Sequence, residues 1–359
     1  MMMTLIIAEA GVNHNGDIKI ALELVKAAYE AGADIVKFQT FKASNIVTAK
    51  ANQAQYQIHN TGVTESQLTM LQRLELSYDT HFELLEYCDK LGIEFLSTAF
   101  DFESLEFLVN SLKLKKLKIP SGEITNAPLV LQHALTGCDL IVSTGMATLG
   151  EIETALGVIA FGYISDENAA PSLDAFQQAY FSKEGQAVLK DKVTLLHCTT
   201  EYPTPLNEIN LRVVDTMRIA FDLPVGYSDH SEGIIVPIAA VARGSCLIEK
   251  HFTLDKNLAG PDHKASLDPS ELKKMVQAIR DVEMVLGDSI KGPQQSELKN
   301  RAIARKSIVA SKKINKGDAF TEKNIDVKRP GDGISPLNYW MLQSKFALKD
   351  FDEGDLIVE

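Results

Sequence analysis

Two histidines at the ends of short apolar segments, His230 and His251, are candidate metal ligands. Neutral imidazole is a common protein ligand for divalent transition metals. Two protein ligands would leave positions for water and a substrate oxygen, which suits a metal that polarises a carbonyl better than a closed structural zinc site. The alternative is that each imidazole is a hydrogen-bonded structural side chain. We take Mn²⁺ as the first choice for this site, with Mg²⁺ or Co²⁺ as alternatives.

A second set of side chains could bind an anion. Ser121-Gly122, Ser143-Thr144-Gly145 and Ser228 each place a hydroxyl, and often a backbone N–H, before a predicted helix, which suits phosphate oxygens. Lys37 and Lys118 end two further apolar segments and would supply positive charge. One such lysine alone would be interpreted as structural, but two lysines and three hydroxyl-bearing turns on separate segments favour a binding site.

Carboxylates near the same segment ends are candidates for acid–base catalysis: Glu9, Glu123, Asp229 and Asp262. Each of them could instead anchor a neighbouring lysine or histidine. Glu123 directly follows the Ser-Gly turn, so it would lie beside the bound phosphate and reach a water or a hydroxyl group.

The elements that would position these residues are eight short apolar runs: Leu5–Glu9, Asp34–Thr40, Glu94–Phe100, Lys116–Pro120, Asp139–Ser143, Val193–Thr199, Pro224–Ser228 and Cys246–Phe252. Amphipathic stretches with apolar residues three and four apart separate most of them. This alternation predicts an α/β fold, a (β/α)8 TIM barrel, with an open doubly wound sheet as the alternative. Barrel enzymes hold their chemistry where strands end, so the candidate side chains would converge.

Two segments interrupt the alternation of strands and helices, and the sequence pattern changes near the end of the chain. Residues 41–79 are polar and Gln-rich, and they predict a lid or loop over the barrel mouth. Residues 160–190 have the pattern of a peripheral insertion before the sixth strand. We predict a catalytic barrel over 1–290, a linker over 291–304 and a small β-rich module over 305–359, where short alternating runs are broken by glycine-containing turns.

Composition and charge argue against several classes of function. The 359 residues carry a formal net charge of −12, which argues against sequence-independent nucleic-acid binding because that needs a basic face. No run of roughly 18 apolar residues is present, and MMMTLIIAEAGVNHNG lacks the basic flank and cleavage site of a signal peptide. We therefore expect no membrane partner and a cytoplasmic location. No two cysteines form a CxxC pair, so buried thiols are expected at Cys88, Cys138, Cys198 and Cys246.

The ordered motifs of the chain resemble those of the bacterial sialic acid synthase family, which includes N-acetylneuraminate synthases and their legionaminic and pseudaminic acid relatives. Any one motif is weak evidence, but the set is specific and spans nearly the whole chain. The matching segments are AEAGVNHNG (8–16), VKFQTFKA (36–43), STAFD (97–101), KIPSGE (118–123), STGM (143–146), HCTTEYPTP (197–205), GYSDHSEG (226–233), EKHFTLDK (249–256), GPDHKAS (260–266) and VKRPGDGISP (327–336).

The resemblance implies a TIM barrel followed by an antifreeze-like (SAF) domain, and a site shared across a domain-swapped homodimer. It implies catalytic roles for Glu123, Glu9 and Lys118, and metal binding by His230 and His251. Phosphoenolpyruvate would contact Lys37, Thr98, Lys118, Ser121, Ser143, Thr200 and Ser228. Some family members carry Asn where Thr200 stands, so this position departs from the pattern. The sugar would contact Gln39, Tyr202, Asp262 and, through its N-acetyl group, Arg329 of the partner chain.

The implied reaction condenses phosphoenolpyruvate with the open-chain form of an N-acetylated mannose-type sugar, without an organic cofactor. N-acetylmannosamine, giving N-acetylneuraminate, is the first choice. The alternatives are 2,4-diacetamido-2,4,6-trideoxymannose, leading to legionaminic acid, and another phosphoenolpyruvate-dependent aldose synthase, which would need a second phosphate site. An ice- or carbohydrate-binding protein is the non-enzyme alternative, but residues 305–359 are rich in charged side chains rather than in a flat Thr or Ala array.

Overall fold

The computed structural model describes residues 3–166 and 168–358. The chain divides into two compact units, of which the first ends at Gly287 and the second begins at Asp288. In the described residues no helix is long and apolar enough to cross a membrane.

The first unit is a closed barrel of eight parallel strands, in which β1 pairs with β2 on one side and with β8 on the other. Barrel closure confirms the predicted (β/α)8 fold over the open-sheet alternative. The strands are β1 Leu5–Gly11, β2 Ile35–Thr40, β3 Glu94–Ala99, β4 Lys116–Ile119, β5 Asp139–Ser143, β6 Val193–His197, β7 Val225–Asp229 and β8 Leu247–His251.

Helices surround the barrel and bury apolar faces against it. The last of them begins at Pro269, where the Asp268 side chain accepts a hydrogen bond from the Glu271 N–H and the proline ring occupies the first helical turn. The helices of this unit are α1 Ile18–Ala31, α2 Ala43–Ile46, α3 Gln55–Thr61, α4 Gln67–Gln72, α5 Tyr78–Leu91, α6 Phe102–Glu106, α7 Ala127–Leu135, α8 Leu149–Ile164, α9 Leu173–Phe181, α10 Lys183–Lys192, α11 Val213–Phe221, α12 Ile235–Ala242 and α13 Pro269–Leu286.

The barrel interior changes from apolar to polar along the strands. Its apolar part is a cluster of Ile7, Ile35, Leu96, Ile141, Leu196 and Leu247. Side chains alternate between the faces of a strand, so residues two positions further on point inward as well. Those residues include Glu9, Lys37, Thr98, Ser143 and Glu249. An apolar floor therefore supports a polar layer near the carboxyl ends of the strands.

The predicted lid, residues 41–79, is folded. It contains α2, α3 and α4, and Phe41, Met70 and Leu74 pack with Val12 of the loop that follows β1. The Asn60 side chain donates to the Pro261 carbonyl in the loop after β8 at 2.8 Å. These contacts tie the segment to loops at the mouth of the barrel, where the lid prediction placed it.

The insertion begins later than predicted, because α8 continues to Ile164. Its two helices, α9 and α10, pack on α8 rather than extending away from the barrel. Phe176 of α9 contacts Phe161 of α8 edge-to-face at a ring-centroid distance of 5.2 Å, and Leu189 of α10 is buried. Removing the whole insertion would therefore expose an apolar side of α8.

The second unit contains α14 Gln295–Ala304, an antiparallel pair β9 Ser307–Ala310 and β10 Ile325–Lys328, and the short helix α15 Tyr339–Leu342. Further isolated bridges, such as Ile314 with Phe351, connect its loops. It has its own core, formed by Ile308, Ala310, Ile314, Phe320, Ile325, Leu342, Ala347, Phe351 and Ile357. The segment 291–304, predicted as a linker, contains the helix α14.

Candidate active site

A cavity at the carboxyl ends of the strands collects nearly all of the predicted site residues. Its lining is Glu9, Lys37, Gln39, Thr98, Phe100, Lys118, Pro120, Ser121, Gly122, Ser143, Thr200, Tyr202, Ser228, His230, Glu249 and His251. Of the predicted residues, Glu123, Asp229, Asp262 and Arg329 are absent from this lining, and the Asp229 carboxylate instead pairs with Lys250. Strand ends that are far apart in sequence meet here because the barrel is closed.

Two lysines and two glutamates form a buried ionic cluster in the polar layer. The Lys37 Nζ lies 2.5 Å from Glu9 Oε2 and 3.5 Å from Glu249 Oε2. The Lys118 Nζ lies 2.5 Å from Glu249 Oε1. None of the four residues is more than 6% exposed. The formal charges cancel, which is the condition under which four charges can be kept out of water.

The environment shifts the pKa values of the two glutamates in opposite directions. Burial tends to raise the pKa of Glu249, but the charges of Lys118 and Lys37 outweigh it and hold that pKa below its ordinary value. Burial also raises the pKa of Glu9, and there the Lys37 charge does not fully compensate. Glu249 is therefore the permanently ionised partner of the lysines, and Glu9 is the carboxyl that accepts a proton more readily.

Glu249 is the member of this cluster to which we gave no role on sequence evidence. Besides Lys118, it accepts a hydrogen bond from the Ser228 hydroxyl at 2.8 Å. A signal was available, because Glu249 lies two residues before His251 on the same strand and so faces the same interior. The strand register, which pairs Ser228 with Glu249, could not be seen in the sequence.

Hydroxyl groups surround the ionic cluster. Thr98 accepts a hydrogen bond from Lys37 at 3.1 Å. The buried hydroxyl oxygens of Ser143 and Thr200 have no hydrogen-bond partner within the described protein. An unpartnered buried hydroxyl is costly unless a ligand or water satisfies it. These groups, together with the two ammonium groups, form a site suited to the oxygens of a compact anion.

Gly145 shapes the wall of this anion site. Its N–H donates to the Ser121 hydroxyl at 3.0 Å. A Cβ atom at this position would lie 2.4 Å from the Thr200 hydroxyl oxygen and 2.9 Å from that of Ser121. The glycine of the STGM motif is therefore required by close packing of three loops.

The two histidines lie side by side, with ring centroids 5.5 Å apart. The His230 Nδ1–H donates to the Thr199 carbonyl at 2.6 Å, which leaves Nε2 with a free lone pair. Burial lowers the pKa of His230 to about 4 and that of His251 well below its ordinary value, so both imidazoles are neutral near pH 7. The buried Nδ1 of His251 has no hydrogen-bond partner in the described protein. Neutral imidazoles with available lone pairs fit a divalent cation.

Acidic and aromatic side chains border the histidines. Asp262 Oδ2 lies 3.7 Å from His251 Nδ1, and burial, with a smaller contribution from the Glu9 charge, raises the pKa of Asp262 to about 7. The Tyr202 ring lies 4.1 Å from the His230 ring, centroid to centroid. Among the side chains that the structure describes, no group of three or more His, Cys, Asp or Glu is arranged to hold a metal. The pair would thus leave most coordination positions to other ligands.

Two predicted residues lie elsewhere. Glu123 is half-buried at the turn after β4, where its Oε2 accepts a hydrogen bond from the Asn126 side chain at 2.7 Å. Arg329 belongs to the second unit, where it is exposed and its Nε donates to the Ala304 carbonyl at 3.1 Å. The roles that the resemblance implies for these two residues stay predictions.

Comparison with known proteins agrees with this arrangement. Residues 24–291 match the NeuB family and residues 305–358 match the SAF domain. The N,N′-diacetyllegionaminic acid synthase of Campylobacter jejuni is 50% identical over 100% of both chains. The enzyme of the same name from Legionella pneumophila is 47% identical over 93% of this chain and 88% of its own length. The solved N-acetylneuraminic acid synthetase of Leptospira borgpetersenii is 32% identical, covers 83% of this chain and 90% of that one, and has a TM-score of 0.66.

Proposed function

The chain belongs to the NeuB family, and from that membership we propose that it condenses phosphoenolpyruvate with 2,4-diacetamido-2,4,6-trideoxymannose to form N,N′-diacetyllegionaminic acid. It is an enzyme, a transferase that makes sialic-acid-type sugars. The sequence alone favoured N-acetylmannosamine as the sugar. We now prefer the diacetamido-trideoxy sugar to N-acetylmannosamine, because the relatives from Campylobacter jejuni and Legionella pneumophila, at 50% and 47% identity, are both named for the legionaminic product.

One observation carries the proposal: two buried lysines and two neutral imidazoles meet in one cavity. Phosphoenolpyruvate carries a phosphate and a carboxylate, and the lysines with the hydroxyls of Thr98 and Ser143 offer it cations and hydrogen-bond donors. We assign the phosphate and carboxylate to these groups. Their positions are set before substrate arrives, so they orient the reactant without reorganising.

We assign a divalent metal to His230 and His251, with Mn²⁺ as the first choice. When bound, such a metal acts as a Lewis acid that polarises the aldehyde of the open-chain sugar. The imidazoles contribute lone pairs because burial keeps them unprotonated. We assign the sugar to three side chains: Tyr202 contacts the His230 ring, Asp262 lies beside His251, and Gln39 donates a hydrogen bond to Glu9.

In the proposed reaction a carbon–carbon bond forms between carbon 3 of phosphoenolpyruvate and the sugar aldehyde carbon. Water adds to carbon 2, and the carbon–oxygen bond to phosphate then breaks with its electron pair leaving on the phosphate. The two protons of the water end on the former aldehyde oxygen and on the departing phosphate, and carbon 2 becomes a ketone. Glu249 stays ionised and balances the lysines. Glu9, whose pKa is raised, is positioned beside Lys37 to hold or release a proton during these steps.

The sugar assignment is tested by assaying the purified protein with phosphoenolpyruvate, Mn²⁺ and each sugar separately. Phosphate release gives the rate and mass spectrometry identifies the product. We expect kcat/KM for the diacetamido-trideoxy sugar to exceed that for N-acetylmannosamine by about tenfold or more, the scale on which a pocket separates related substrates. A higher kcat/KM for N-acetylmannosamine would make the protein an N-acetylneuraminate synthase instead.

The location that we propose is the cytoplasm. All four cysteines are free thiols, three of them buried and Cys246 half-buried. Structural disulfides are rare in the reducing cytoplasm and common in secreted proteins, which supports this location.

A further inference from the structure

An ion pair lies behind the two histidines, on the outer side of the barrel wall. Asp229 and Lys250 have no exposed side-chain surface, and Lys250 Nζ lies 2.6 Å from Asp229 Oδ2. They precede His230 and His251 directly in the sequence. Side chains alternate between the two faces of a strand. Asp229 and Lys250 therefore point outward, and His230 and His251, one residue later, point into the barrel.

The Lys250 ammonium group binds on both sides of His230. It donates to the carboxylate of Asp229, the residue before His230, and to the backbone carbonyl of Ser231, the residue after it. The Ser231 hydroxyl in turn donates to Asp229 Oδ1 at 2.8 Å. The Lys250 ammonium group therefore holds the residues on either side of His230, and Lys250 itself is the sequence neighbour of His251.

Strand pairing alone does not provide this link. The last paired residues of β7 and β8 are Asp229 and Lys250, so His230 follows the end of its strand. The other hydrogen bonds of His230 lead toward the loop after β6: its Nδ1 donates to the Thr199 carbonyl, and its own carbonyl accepts from the Thr204 N–H at 2.9 Å. Beside the contact between the two imidazole rings, the polar connection from the His230 segment to β8 runs through Lys250.

Stability is a weak explanation for such a pair. Two charges removed from water lose hydration that their attraction does not regularly repay, and apolar side chains of similar volume often stabilise a protein as well. A buried ion pair is better suited to selecting one arrangement of the chain segments that carry it.

We propose that Lys250 is a positioning residue, which sets the separation and orientation of His230 and His251 for a divalent metal by clamping Asp229 and the Ser231 carbonyl. This inference rests on the proposed metal site. It differs from a general structural role in one measurable respect: loss of the clamp weakens metal affinity even in protein that remains folded.

The test measures Mn²⁺ affinity directly, by the EPR signal of free Mn²⁺ in the absence of substrates. The variants are Lys250→Met and the double variant Asp229→Asn/Lys250→Met, which leaves no buried charge unpaired and so keeps the fold if the single variant does not. The matched control is Asp34→Asn/Arg280→Met, which removes an ion pair of 2.8 Å between the start of β2 and α13, at the other end of the strands.

We expect the Mn²⁺ Kd of the clamp variants to rise by about tenfold or more, the scale seen when groups that orient metal ligands are removed. The control should lose thermal stability while its Kd stays within about twofold of wild type, because distant sites act independently. A folded double variant with an unchanged Kd would overturn the clamp. The variants His230→Ala and His251→Ala distinguish failure of the metal site from failure of the positioning role of Lys250. If both variants bind Mn²⁺ as wild type does, the metal assignment is wrong, and the positioning role fails with it.

Discussion

The ammonium group of Lys118 lies 2.5 Å from a carboxylate oxygen of Glu249, on the far side of the barrel interior and 131 residues away in sequence. The contact joins β4 to β8. Burial disfavours the charge on Lys118, but Glu249 and Glu9 outweigh it and raise the Lys118 pKa above its ordinary value. The lysine is therefore charged and in place before any anion binds.

Replacement of Lys118 by methionine should impair the use of phosphoenolpyruvate rather than of the sugar. One of two cations assigned to the anion would be lost, and we expect kcat/KM for phosphoenolpyruvate to fall by about a hundredfold, as for other truncated buried ionic contacts. Steady-state kinetics with each substrate varied in turn measures this, and KM for the sugar should stay near its wild-type value.

The matched control is Lys116→Met, which makes the same change two residues earlier on β4. Lys116 pairs with Glu94 at 2.9 Å in a partly exposed ion pair and does not line the cavity. Such pairs contribute little to stability. Equal kinetic defects in the two variants would show that Lys118 has no special relation to the anion.

Metal removal should abolish condensation reversibly. Two protein ligands hold a metal weakly, so dialysis against a chelator should remove it, and added Mn²⁺ should restore activity. His251→Ala should not recover under the same conditions, whereas His133→Leu, which changes a histidine on the helix α7, should recover as wild type does. Full activity in metal-free protein would contradict the Lewis-acid role.

His133 predicts a pH dependence of stability. Burial lowers its pKa from 6.5 to about 4 in the folded protein. Between those values the unfolded chain binds more protons than the folded one, so the free energy of unfolding falls as pH drops through this window and is fully retained above it. We expect the stability advantage of wild type over His133→Leu to be smaller near pH 5 than near pH 7.5.

Urea denaturation at both pH values measures the effect. The free energy of unfolding should depend more steeply on pH in wild type than in the variant, because the variant lacks one group that takes up a proton on unfolding. A constant difference between the two proteins would mean that His133 is protonated to the same extent in both states.

The family resemblance implies an active site shared between two chains, and we propose that Arg329 of one chain completes the barrel of the other. Mixing Arg329→Ala with His230→Ala, each of which we expect to be inactive alone, tests this. Subunit exchange would create dimers with one intact site, and activity should return to about a quarter of wild type for random pairing. Background activity after verified exchange would place Arg329 in its own chain's site or in none.

Much of the fold followed from local pattern. Apolar runs alternating with amphipathic stretches specified eight strands, because each element must bury one face and the two periods differ. Strand-end position predicted eight of the residues that line the cavity, and the family resemblance added Gln39, Thr98, Thr200 and Tyr202. Closure of the barrel brings all strand ends to one rim, so their sequence positions were sufficient to predict that they meet.

The tertiary structure decided which of these groups touch. Glu249 binds Lys118, and Lys250 binds both neighbours of His230, whereas Glu123 bonds to Asn126 on its own turn. Sequence spacing states which face of a strand a residue occupies, but contact across a barrel depends on register, strand tilt and the direction of each side chain. Those quantities are set by how all eight strands pack together, and no single segment of the chain contains them.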